Sequence, residues 1–242
     1  MLDLIANIGY LVSAVCFIVG IKKLSSAKSA RIGNLISAIG MLIAIIVTLT
    51  QQTILGFQTV LIGLVIGSLC GVAAARLVAM TAMPEMVALL NGFGGGSSLL
   101  LAWGAFIEKM QVALFDITIT TLSIVIGGVT LSGSIVAWAK LAGKLSGRPV
   151  NIVARQFLNA LLLISIIAFA AMTALNYIPI HIALYSIIFL TLLLGVIVVL
   201  PIGGGDMPVV IALLNSFSGL AASAAGVAVG NMLLVVAGLL VG

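Results

Sequence analysis

The sequence predicts an all-α polytopic membrane protein, a bundle of eight to nine transmembrane helices with a parallel internal repeat. Three observations carry this. Hydrophobic residues make up 63% of the chain against 6% charged, with a mean hydropathy of +1.44. The apolar runs are long and continuous. One short motif occurs twice. A soluble domain carries roughly 25% charged residues, and ten Lys/Arg with five Asp/Glu over 242 residues cannot clothe a water-facing surface. In lipid the backbone must be satisfied within helices or closed barrels. Barrel strands alternate polar and apolar residues over about ten positions, and these uninterrupted runs do not. The net charge of +5 comes from basic residues clustered at the ends of apolar runs, where they act as topology determinants; no nucleic-acid partner is expected. Cys16 and Cys70 sit inside apolar segments without metal-ligand spacing and read as small buried hydrophobes. The first apolar run follows Asp3 with no basic leader, so a retained helix rather than a cleaved signal is expected.

A spanning helix needs about 20 apolar residues. With charges, prolines and glycine clusters as dividers, the spans run Leu4 to Ile21, Gly33 to Leu49, Thr53 to Val78, Pro84 to Ile107, Ala113 to Lys140, Ile152 to Leu175, Pro179 to Leu200 and Pro208 to Gly226. A ninth begins near Met232 and supplies only 11 residues, about 16 Å of helix, so the natural chain is expected to continue past Gly242 into the cytoplasm. Lys22, Lys23, Lys28, Arg31, Arg76, Lys140, Lys144, Arg148 and Arg155 all fall on one side of this scheme, and only Lys109, beside Glu108, falls on the other. The positive-inside rule makes the rich side cytoplasmic and the N-terminus external.

Small residues recur at helical spacing, Gly63–Gly67–Gly71 and Gly226–Gly230, which predicts close helix packing. Gly127, Gly128, Thr130, Ser132, Gly133 and Ser134 crowd small and hydroxyl side chains into the fifth span. That run serves either packing or the lining of a polar path.

The repeat is the most informative feature. Residues 83–95 read MPEMVALLNGFGG and residues 207–219 read MPVVIALLNSFSG, eight matches in thirteen positions at an offset of 124. Each copy opens with a proline suited to a first helical turn. Each has a carboxylate near it, Glu85 or Asp206, where the helix N-terminus favours negative charge. Each then carries one asparagine deeper along the helix, Asn91 or Asn215. The copies open spans four and eight, so both enter from the cytoplasmic side as a parallel duplication. An asparagine in lipid is costly until paired. The two amides are therefore either interhelical fasteners or members of a hydrated polar route.

Ordinary catalytic vocabulary is missing. His181 is the single histidine and sits at the outer end of span seven; Trp103 and Trp138 lie near span ends, as in an aromatic belt. The GGGD run at 203–206 lies between two spans and lacks the strand context of a dinucleotide fingerprint.

MTAMPEMVALLNGFGG at 80–95, GGVTLSGSIVAWAKLAGKLSGRP at 127–149, LPIGGGDMPVVIALLNSFSG at 200–219 and the closing GNMLLVVAGLLVG together resemble the membrane domain of the beta subunit of proton-translocating NAD(P) transhydrogenase. The resemblance spans essentially the whole chain, making residues 1–242 one transmembrane helical domain. It implies a bacterial inner-membrane protein that couples inward proton flow to hydride transfer from NADH to NADP⁺. NAD(H) and NADP(H) would bind in soluble domains outside this chain, which binds neither and is not catalytically competent alone. Many family members place histidine where this chain has Asn91, and an amide does not titrate near neutrality as imidazole does. The resemblance thus implies an alpha-type partner subunit that brings the NAD(H) domain and membrane helices and supplies the channel histidine, with the full assembly a homodimer. Asn91, Asn215 and Ser132 fall on the implied proton pathway. Asp206, Glu85 and Arg155 fall on the implied coupling to the NADP(H)-binding domain. A small-solute secondary transporter and a structural scaffold are the alternatives; the scarcity of charged groups for binding a charged solute weighs against the first.

Overall fold

The computed structural model describes residues 2–50, 57–107 and 113–242. It contains α1 (Leu2–Leu24), α2 (Ala30–Thr50), α3 (Phe57–Leu77), α4 (Met83–Ile107), α5 (Leu114–Leu141), α6 (Arg155–Ala174), α7 (Ile180–Val199), α8 (Met207–Val229) and α9 (Met232–Val241). Among the described residues, eight helices are long and apolar enough to cross a membrane, and α9 is shorter. The chain is an all-α, integral polytopic membrane protein. The expected start of span three at Thr53 and the outer-side pair Glu108 and Lys109 lie outside the described residues.

The chain divides into two compact units, Met1–Ala79 and Met80–Gly242. In the first, α1 and α2 form an antiparallel hairpin. Its close approach depends on glycine: a Cβ on Gly33 would stand 2.7 Å from the Gly20 carbonyl oxygen. Tyr10 and Thr48 hydroxyls bond across it at 3.0 Å. Helix α3 departs from expectation. The Gly63–Gly67–Gly71 face has no atom within 4 Å of an added Cβ, so among the described residues of its own unit it makes no close helix contact.

In the second unit α5 is the hub, packed on α4, α7 and α8; α8 also packs on α4 and α9, and α6 on α7. One apolar cluster joins Leu99 and Phe106 of α4, Ile124 of α5, Ile166 of α6 and Ile187 of α7. A second joins Ala88 of α4, Val136 of α5, Val199 of α7, and Met207 and Ile211 of α8. Lipid is as apolar as leucine, so burial alone does not drive these helices together; close packing and interhelical hydrogen bonds do. The small-residue run of α5 serves that end, since a Cβ on Gly127 would stand 2.6 Å from the Gly95 carbonyl oxygen of α4.

Helix α1 runs on to Leu24 rather than ending at Ile21, and α2 begins at Ala30 rather than Gly33; two more boundaries differ from the sequence reading for local backbone reasons. Span six begins at Arg155, not Ile152, because Ala154 takes a left-handed conformation (φ 55°) that interrupts the helix. Helix α8 runs to Val229, and Gly230, at φ 70°, ends it by sending its N–H back to the last turn. Asn231 then caps α9, its Oδ1 accepting the Leu234 N–H at 3.0 Å. Gly226 does pack closely, with an added Cβ 2.7 Å from the Val235 nitrogen, whereas Gly230 is a turn residue.

Candidate functional site

Both motif copies fold alike. A single 3₁₀ turn, Met80–Ala82 or Gly204–Asp206, leads directly into Met83 of α4 or Met207 of α8. Each asparagine lies eight residues beyond that methionine, about 12 Å along its helix. Helices α4 and α8 pack together, and a Cβ on Gly94 would lie 3.7 Å from Ser218 Cβ. Gly94 and Ser218 are themselves 124 positions apart, so matching positions of the two motifs touch.

Asn91 is buried, and its Nδ2 donates to the Ile211 carbonyl of α8 at 3.1 Å. In a regular helix that carbonyl also accepts the backbone N–H of Asn215, four residues on. The first amide is thus bonded one turn before the second. Asn215 is half-buried, and its own Nδ2 donates to the Val241 carbonyl of α9 at 3.0 Å. Each side-chain amide therefore spends a donor on a neighbouring helix's backbone.

Hydroxyls extend the polar seam along α4, α5 and α8. Ser218 Oγ donates to the Asn215 carbonyl at 2.8 Å. Ser98 Oγ donates to Gly94 at 3.0 Å. Ser123 of α5 is fully buried and donates to Ala221 of α8 at 3.0 Å, with the Ser98 carbonyl of α4 at 3.4 Å. Replacing Ser123 with alanine is expected to cost about 0.6 kcal/mol, and at most about 1.7, since membrane-buried hydrogen bonds contribute on that scale. Thermal unfolding in detergent measures it.

Ser132 turns elsewhere. Its hydroxyl donates to Gly128 at 3.0 Å and abuts Gly195 of α7. Ser134, two residues on, faces α4: a Cβ on Gly92 would lie 3.1 Å from Ser134 Cβ. Its buried Oγ has no hydrogen-bond partner. This buried, unpartnered hydroxyl faces the residue after Asn91 and belongs to the small, hydroxyl-rich run of the fifth span noted in the sequence.

At the end of this unit where α4, α6 and α8 begin, Glu85 is half-buried in the first turn of α4, and Arg155 is exposed at the start of α6. Asp206 is exposed at the α8 N-cap and makes no capping bond, so its carboxylate points to solvent in the favourable field of the helix start. A cleft of about 530 Å³ opens there, lined by Pro149, Asn151, Arg155, Gln156 and Pro201 among others. His181 is exposed in the first turn of α7. No group of three or more metal-ligating side chains occurs among the described residues. Lys140, counted above as a topology charge, is buried.

Fold and site define a helical membrane protein in which one buried and one half-buried asparagine each bond a neighbouring helix's backbone, beneath a charged, cleft-bearing end. The chain belongs to the NAD(P) transhydrogenase beta subunit family, whose pattern it matches over residues 6–242. It is similar to the NAD(P) transhydrogenase subunit beta of Rhodospirillum rubrum, at 36% identity over 245 aligned residues covering 96% of this chain. The protein of the same name from a designated strain of that species matches at the same identity and coverage. The chain spans about half, 52%, of the length of these relatives.

Proposed function

We propose that this chain is the proton-conducting membrane sector of a bacterial inner-membrane NAD(P) transhydrogenase. In it, inward proton movement is coupled to hydride transfer between NADH and NADP⁺ in partner soluble domains. The observation that carries the reading is the Asn91–Ile211 hydrogen bond between the two motif helices, one turn from Asn215. It ties the two polar positions of a parallel duplication into one unit. Family membership supports the class of reaction.

Among the described residues the glycine run before α8 is the one stretch that resembles a nucleotide-binding loop. Gly204–Asp206 forms a 3₁₀ turn between helices, with Gly203 extended before it, and lacks the strand-to-helix turn that a dinucleotide pyrophosphate requires. Both nucleotides are accordingly assigned to other domains: NADP(H) to one that follows the membrane helices, NAD(H) to an alpha-type subunit. What this chain does is hold the path. Amides do not titrate near neutrality, so Asn91 and Asn215 orient water or a partner group. The alpha-type subunit supplies the titratable histidine within a homodimeric assembly. Proton passage shifts the loop that bears Asp206, and with it the affinity of the neighbouring domain for NADP(H). By linkage the nucleotide state biases the proton path equally.

Asp206→Asn keeps the size of the side chain and removes its charge. It is expected to weaken the dependence of NADP(H) affinity on an imposed pH gradient by about fivefold or more, read by nucleotide titration of the reconstituted complex. The proposal itself is tested by reconstituting the full-length chain with its partner subunits in proteoliposomes. Hydride transfer should respond to an imposed proton gradient, and proton flux should require both nucleotides. Solute flux independent of nucleotides would instead identify a transporter.

A further inference from the structure

Lys140 lies in the last turn of α5 and is 5% exposed, in an otherwise apolar AWAKLAG segment. An ammonium has three N–H donors and no acceptor, and a buried charge persists only where such donors are met. Here Nζ donates to the Leu200 carbonyl at 2.6 Å, to Ile202 at 2.7 Å and to Arg148 at 3.4 Å. Leu200 is the C-cap of α7, so its carbonyl stands at the negative end of that helix, where a cation is favoured. The other two carbonyls belong to separate loops, residues 142–154 and 200–206. The same loops are joined by the Gly204 N–H donating to the Gly147 carbonyl at 2.8 Å.

One side chain therefore straps the end of α5, the end of α7 and both loops together. Four residues past Ile202 comes Asp206, and α8 with Asn215 follows directly. The cleft takes Pro149, Asn151 and Arg155 from the first loop or its helix start, and Pro201 from the second. Its width is set by what holds these segments together.

We propose that Lys140 is a positioning residue for proton–nucleotide coupling: its ammonium fixes the loop bearing Asp206 against the α5–α6 loop, so that movement of α8 is transmitted to the cleft. The proposal rests on the transhydrogenase reading above. Lys140→Met preserves an unbranched side chain and leaves the carbonyls without their cation.

The full-length chain is reconstituted with its partner subunits in proteoliposomes, and hydride transfer is compared with and without an imposed pH gradient. The Lys140→Met complex is expected to keep its rate without the gradient and to lose the stimulation. A disulfide between Gly147→Cys and Gly204→Cys, where an added Cβ on Gly204 lies 3.4 Å from Gly147 Cα, ties the same loops. With Cys16 and Cys70 replaced by serine, oxidation of that pair should restore the stimulation in Lys140→Met, and reduction should abolish it again. Undiminished stimulation in Lys140→Met, or no rescue on oxidation, overturns the proposal.

Should Lys140→Met fail to assemble, Lys140→Arg decides, since it keeps a cation with N–H donors: retained stimulation supports the strap and full loss overturns it. Should the unsubstituted complex show no stimulation at all, the transhydrogenase reading fails. The strap is then judged by cross-linking alone, which should be slower in Lys140→Met than in the native chain and would refute it if equal.

Discussion

Asn215→Leu is expected to lower proton-coupled hydride transfer in the reconstituted complex by about tenfold or more, while the complex still assembles. The two parts of that result have separate causes. As a fastener, the Asn215 amide makes one bond to α9, and membrane hydrogen bonds of this kind contribute about 0.6 kcal/mol on average. Leucine has the same branching and heavy-atom count, and the half-buried site has room at its open side for the larger methyls, so loss of the bond alone should not dismantle the α8–α9 hairpin. As part of a proton route, the amide is the polar group that holds water or a partner side chain at that depth, and an alkyl side chain there interrupts the route. Turnover per assembled complex, with assembly read by size-exclusion chromatography, separates the roles. Unchanged turnover would make Asn215 a packing residue.

Gly127→Val is expected to prevent recovery of a monodisperse protein. At this crossing α4 and α5 touch backbone to backbone. An added Cβ on Gly127 meets the Gly95 carbonyl at 2.6 Å and the Leu99 nitrogen at 3.1 Å, and these are main-chain atoms rather than flexible side-chain ends. Overpacking typically costs about 1–3 kcal/mol and more where backbone must move. Here relief requires α4 to retreat from α5, which would also draw Asn91 from Ile211. Gly104→Val on the facing helix α4 is the control, because nothing lies within 4 Å of an added Cβ there. The yield of detergent-extracted protein in a single size-exclusion peak measures both. Equal yields would mean that the α4–α5 contact is not needed for the fold.

The spans were legible because lipid imposes one rule, long apolar helices, and the composition states it directly. Asn91 and Asn215 were legible because polar residues are scarce within the apolar runs and these two sit at matching offsets. The facing of α5 was not. Ser132 and Ser134 differ by two residues, which is about 200° around a helix. On a helix packed against three neighbours, most directions are interior ones, and only a few side chains such as Leu122 and Ile135 face outward. The sequence offers both in one run and the family resemblance points to Ser132, while the structure turns Ser134 toward Gly92. Lys140 was read as a positive-inside marker since the charge pattern of a topology signal and that of a buried strap are identical. Its role depends on carbonyls at Leu200 and Ile202, 60 and 62 residues away. The start of α6 was placed early because the left-handed turn at Ala154 carries no glycine or asparagine to announce it.

The most direct test of the account is proton uptake measured alongside hydride transfer in vesicles carrying the native complex or its Asn91→Leu variant. Asn91→Leu should leave the complex assembled yet remove the proton uptake that accompanies NADP⁺ reduction. Equal uptake per hydride in both would contradict the claim that the amide bonded to Ile211 belongs to the proton route.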